Sequence, residues 1–205
     1  STKIIKRWFY EEVSNASHFA DVLAAASANS NTNVAMLGES FKYAAPVAGS
    51  LGYSVEDTAI ALGLMASSGL KSSMAGSSLR TILTNLAKPT DDISDAMDYL
   101  GISLQNGDGS MKSLMDIVTD LRGAFGQCKM PMDQFQENLA KLDEKYANGE
   151  LTEKKYNEAL ADLTEKAYGA EGALKAKYAA TLAGKEGMSG LLSIVSAALE
   201  DFDKL

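Results

Sequence analysis

Apolar residues recur at helical spacing along most of the chain, and polar or small breakers divide them into short elements. Ser17 is placed to cap a helix running through Ala28, and Asn29-Ser30-Asn31-Thr32-Asn33 breaks it. Asn33 is a good N-cap for a helix from Val34 to about Ser50, with Gly49 and Gly52 marking its end. Pro46 lies inside that pattern and predicts a kink, or a split after Ala45. Ser54 followed by Val55-Glu56-Asp57 is a helix start with acids in the first turn. Val55, Ala59, Leu62 and Ala66 then recur with Ile60 and Leu64 beside them, and Gly69 stops the element. Ser72 or Ser73 begins the next, which carries Leu79, Ile82, Leu83 and Leu86 and halts at Lys88-Pro89. Thr90 caps a further helix to Leu100-Gly101, and Ser113 caps another to about Phe125. Between these two, Ile102-Ser103-Leu104 alternates before the turn Asn106-Gly107-Asp108-Gly109, which predicts a small β-hairpin over 102–111 with Met111 on the return.

The pattern changes at Pro131. Phe135, Leu139, Leu142 and Tyr146 are spaced 4, 3 and 4, and Tyr156, Leu160, Leu163 and Ala167 repeat that spacing across Asn148-Gly149. This predicts an antiparallel helical hairpin with a coiled-coil-like seam. Helices around Ala170–Ala183 and Met188–Leu199 close the chain. The predicted fold is all-α: a multi-helix bundle with the small β-hairpin and the helical hairpin added. Its organisation is a leader at 1–14, a helical core at 15–129 and 178–205, and the hairpin at 130–177. The leader STKIIKRWFYEEVS is basic, aromatic and β-branched and holds the only Trp. It reads equally as a short strand, the end of a preceding helix, or added sequence.

Composition bounds the chemistry. At 205 residues the chain can bury one good-sized core or two small ones. Seventeen glycines are many beside so little proline. Each costs about 1 kcal/mol in a helix interior, so they are expected at helix ends and close contacts. The net charge of −8 is spread out: residues 15–129 carry 7 Lys/Arg and 11 Asp/Glu (7 − 11 = −4), and residues 130–177 carry 7 and 10 (7 − 10 = −3). No basic face is predicted, so the pattern opposes phosphate-backbone binding. Cys128 is the only cysteine, which excludes an internal disulfide. No apolar run approaches the roughly 20 residues that span a bilayer. The chain starts at Ser and ends at Asp-Phe-Asp-Lys-Leu, and is expected to be a piece of something longer.

No catalytic arrangement emerges. Aligning a calcium loop so that Gly109 takes its sixth position puts Leu104 first and Met115 twelfth, where chelation needs carboxylates. His18, beside Ser17 and Asp21, is the only histidine and has no nucleophile motif with it. Gly69-Leu70-Lys71-Ser72 has a Lys-Ser ending but lacks phosphate-loop glycine spacing. Asp91, Asp92, Asp95 and Asp98 fit a helix N-terminus and a solvated face better than an acid–base pair. Ala59, Ala61, Gly63, Ala66, Ser67 and Ser68, then Ala75, Gly76 and Ser77, form a run of small residues that lets helices approach closely. The flanking Glu56, Asp57, Lys71 and Arg80 favour tight packing outside a membrane.

The strings GYSVEDTAIALGLMASSG, AGSSLRTILTNLAKPT and GKEGMSGLL resemble the core region of bacteriophage tail tape measure proteins. The resemblance begins near His18-Phe19-Ala20-Asp21-Val22-Leu23, runs to about Gly126 and resumes at Ala180–Gly190. In that family the position of the 130–177 hairpin is usually a short link, so the hairpin resembles an insertion. The resemblance implies a long helical structural protein in the tail lumen that sets tail length, templates tube assembly and leaves ahead of the DNA. The partners it implies are further copies of itself and the tail tube and assembly proteins, with no specific nucleic-acid binding and membrane contact only during ejection. It implies the virion tail lumen as its place, and the host cytoplasm during assembly. It carries over no catalytic residue, metal or cofactor. A cell-wall-hydrolase-associated tail module and an adaptor binding through the hairpin are the competing expectations.

Overall fold

A computed structural model describes residues 2–126 and 129–196. Cys128 and the expected helix end at Leu199 lie outside them. The described residues form nine helices: α1 (Thr2–Ala28), α2 (Val34–Ser50), α3 (Val55–Ser67), α4 (Ser72–Ala87), α5 (Asp91–Leu100), α6 (Leu114–Phe125), α7 (Met132–Ala147), α8 (Glu153–Tyr168) and α9 (Gly172–Ser196).

Side-chain capping sets most of the starts. Asn33, Ser54 and Thr90 accept hydrogen bonds from the N–H groups of Met36, Asp57 and Ile93 at 2.9, 3.0 and 3.4 Å. Ser113 and Asp116 form a reciprocal capping box at α6. Gly69 ends α3 as expected. At a φ of +94° it lets its own N–H reach the Ala66 carbonyl at 3.0 Å and lets Leu70 N–H reach Met65 at 2.9 Å.

The differences from the sequence reading are local. Ser17 is not a cap: α1 is already helical from Thr2, because no glycine or proline interrupts 2–28. Pro46 does not split α2, which continues to Ser50 across it. Neither Ser72 nor Ser73 caps α4. Lys71 takes that position without a side-chain bond, and Ser72 has a φ of +57°.

The β-hairpin over 102–111 does not form, and no strand is present among the described residues. What remains of it is one antiparallel bridge, Gln105 to Met111, with backbone bonds from Lys112 to Leu104 and from Asn106 to Ser110, both at 2.8 Å. Two competitors take the backbone. Ile102 donates to Met97 at 2.9 Å, closing the α5 terminus, and its side chain is buried in the helical core. Asp108 takes the N–H and hydroxyl of Ser110 at 2.9 and 2.6 Å, which fixes a side-chain-bonded turn.

α3 lies at the centre. Thr58, Ala59, Ala61, Leu62, Gly63, Leu64, Met65 and Ala66 are all buried, so the helix beyond its first turn is enclosed on nearly every side. The helical hairpin forms as α7 and α8, with Asn148-Gly149 between them. Its seam uses Phe135, Leu139, Tyr156, Leu160, Leu163 and Ala167, all buried, whereas Leu142 is half-buried and Tyr146 exposed. The Tyr146 and Tyr156 rings stack at 4.6 Å, and the Tyr156 hydroxyl donates to Asp143 at 2.7 Å. The seam residues belong to the same apolar cluster as α2, α3, α4 and α9. The Tyr168 ring meets Phe125 of α6 and Phe135 of α7 edge-on at 5.4 and 5.7 Å.

Candidate functional site

The family-resembling strings meet at the junction of α3, α4 and α9. α4 and α9 run antiparallel, since contacts move down one as they move up the other. The Asn85 side-chain amide donates to the Leu182 carbonyl at 2.8 Å. A methyl group added at Gly187 would meet Ile82 Cγ1 at 3.2 Å, and one added at Gly190 would meet Ser78 Cβ at 2.6 Å and Met65 Cε at 3.1 Å. The Ser68 hydroxyl donates to the Ser193 carbonyl at 3.1 Å, and Gln136 of α7 donates to Ser68 at 3.3 Å. The same logic joins α2 to α4. Gly76 lies flat against the Ser40 backbone, where an added methyl would approach Ser40 Cα to 2.9 Å. The Ser40 hydroxyl reaches the Ser72 carbonyl at 2.7 Å.

This junction explains the small residues. Ala59, Ala61, Gly63, Ala66, Ala75 and Gly76 are buried between helices, and Ser67, Ser68 and Ser77 are half-buried at its edge. The three strings that carry the family resemblance thus pack on one another. Sequence reasoning found the strings but not their contact partners. Asn85, Ser193 and Gln136 carry no local signal, because their partners lie 97, 125 and 68 positions away.

The candidates for chemistry are dispersed. His18 Nε2 lies 2.6 Å from Glu56 Oε1 on the surface, tying α1 to the start of α3. The Glu56 carboxyl is held below the usual glutamate range, first by a hydrogen bond from its own backbone N–H at the helix N-terminus and then by His18 and Ser54. Asp91, Asp92, Asp95 and Asp98 are all exposed on α5. Asp108 sits below the ordinary aspartate range because the Ser110 hydroxyl and N–H bond to it. Gly69, Leu70 and Lys71 lie in the α3–α4 connection, and Ser72 begins α4. Among the described residues, no three His, Cys, Asp or Glu side chains converge as a metal site. Nor is any described helix long and apolar enough to cross a membrane.

A cavity of about 420 Å³ lies between α8 and α9. Leu160, Ala176, Ala180 and Met188 line it, with the Tyr146–Tyr156 stack beside them. Of its polar lining, the Thr181 hydroxyl is bonded to the Lys177 carbonyl at 3.1 Å.

The distinguishing strings of this helical bundle are spent on helix contact. Residues 5–142 match the family described as phage-related minor tail protein, and the chain belongs to that family. The match begins inside the leader and extends through most of α7. The chain is similar to the tape measure protein of Pneumococcus phage Dp-1, with 33% identity over 97% of this chain and 14% of that protein. It is also similar to a probable tape measure protein of Escherichia phage P2, with 28% identity over 60% of this chain and 15% of that protein. The chain therefore spans about one seventh of the length of these relatives. No solved structure gives a significant match.

Proposed function

We propose that the chain is a non-catalytic packing segment of a phage tail tape measure protein, carried in the tail lumen. Tube subunits assemble around the whole protein, whose length sets that of the tail, and the segment leaves with it at genome ejection. One observation carries this reading: the family-resembling strings interlock at Gly187 and Gly190 through contacts that admit no added methyl without displacement, while the residues suited to chemistry lie apart. The acidic surface agrees with a place beside passing DNA.

The compact fold changes what a ruler experiment should give. Drawn out as one helix, about 180 residues would span roughly 270 Å. Folded, they have a radius of gyration of about 16 Å and add roughly 40 Å. In-frame deletion of residues 15–196 from the full-length gene, with tails measured by electron microscopy, is expected to shorten the tail by about 40 Å or less. Shortening near 270 Å would mean that the segment is drawn out in the tail, and would overturn its role there as a folded unit. Clearing of peptidoglycan by the purified chain, abolished by a carboxylate substitution, would overturn the non-catalytic part in favour of a cell-wall hydrolase module.

A further inference from the structure

The geometry points to exchange of the second half of α9, residues 185–196, between two copies of this chain, with Gly184 as the hinge. α9 is helical on both sides of Gly184, which itself sits at φ +68° and ψ 177°. That break opens the hydrogen-bond ladder, stripping carbonyls before it and N–H groups after it of their helical partners. Asn85 recovers one of these, the Leu182 carbonyl.

Beyond the hinge, Leu191, Leu192, Ile194 and Val195 are all buried, and Gly187 and Gly190 are fitted to α4. Rotation of Gly184 into helical geometry restores the ladder and makes α9 a single rod of about 37 Å. In an isolated chain that motion bares four large aliphatic side chains and the α3–α4 face they cover, which water opposes. In a pair of copies the cost disappears, because each straightened half meets the other copy's α3–α4 face with the contacts already described. The occupant is therefore a second copy of this chain: the complementary surface is built into every copy, and only one backbone hinge has to turn. The inference deepens the packing role proposed above by naming its partner. It is tested on the purified chain, so its failure leaves the tail-length experiment untouched.

Gly184→Ala strains the kinked form, where φ is positive, and favours the straight one, so it should tighten dimerisation by roughly tenfold. Light scattering after size exclusion reads this directly. The identity of the interface is read by mixing Ser68→Cys chains with Ser193→Cys chains, both carrying Cys128→Ser, refolding them together and adding a short bis-maleimide. Cross-linked mixed dimers are expected, while the double variant Ser68→Cys/Ser193→Cys supplies the internal cross-link of the monomer. A Gly184→Ala chain that stays monomeric at every concentration, or dimers that give no mixed cross-link, would overturn the proposal. If Gly184→Ala fails to fold, the same mixing with the native hinge at high concentration decides: mixed links support exchange, and their absence refutes it.

Discussion

Gly38 and Gly76 look alike in the sequence, each a glycine inside a helical pattern, and they should respond to the same substitution with opposite signs. Nothing lies within 4 Å of a methyl added at Gly38, so Gly38→Ala should stabilise the protein by about 0.5–1 kcal/mol through helix propensity. At Gly76 the added methyl meets the Ser40 backbone, which cannot yield without separating α2 from α4, and a loss of about 1–3 kcal/mol is expected. Urea midpoints at constant m-value read both changes. Ser54→Ala and Thr90→Ala should each cost about 1 kcal/mol by the same measurement. The caps were legible in advance because each bonds to a backbone N–H three residues on. Gly76 was not, because its reason for being glycine lies 36 positions away in the chain.

Elements were predicted well where a local signal closes them, and less well where tertiary packing decides. The seven elements from α2 to α8 have ends near those read from the sequence, while α1 runs on through Ser17 and α2 through Pro46. The failed β-hairpin shows the limit of alternation as evidence: Ile102 was more use to α5 as a buried terminus than to a strand. In the α7–α8 pair, spacing marked the seam but not its depth. Leu139→Ala should cost about 2–4 kcal/mol, whereas Leu142→Ala, only half-buried, should cost about 1 kcal/mol. Equal losses at the two positions would mean that the hairpin is packed more evenly than described.

The contact between α1 and α3 is expected to be pH-dependent. With the folded pKa of Glu56 depressed, its stabilising contribution is present above the unfolded pKa and fades as pH falls through the folded value. A carboxyl titration by NMR should place its midpoint below that of an ordinary glutamate. His18→Ala should raise that midpoint only part of the way, since the backbone N–H remains.

At the scale of the whole molecule, the apolar cluster runs from Leu23 in α1 to Val195 in α9 without a gap, and the hairpin shares it. The 4-3-4 spacing predicted a hairpin, and the family resemblance alone suggested an insertion. Its attachment through Tyr168 and Gln136 could not be read, because those side chains meet Phe125 of α6 and Ser68 at the end of α3. A continuous core has a mechanical meaning as well. Roughly 180 residues pulled taut reach about 600 Å, against the few tens of ångströms they occupy when folded, so the bundle is a reserve of contour length held by one cooperative barrier. In an optical trap, with handles at residues 15 and 196, the chain should extend in a single rip of nearly that length. Two rips, one matching α7 and α8 alone, would instead reveal a hairpin that yields on its own.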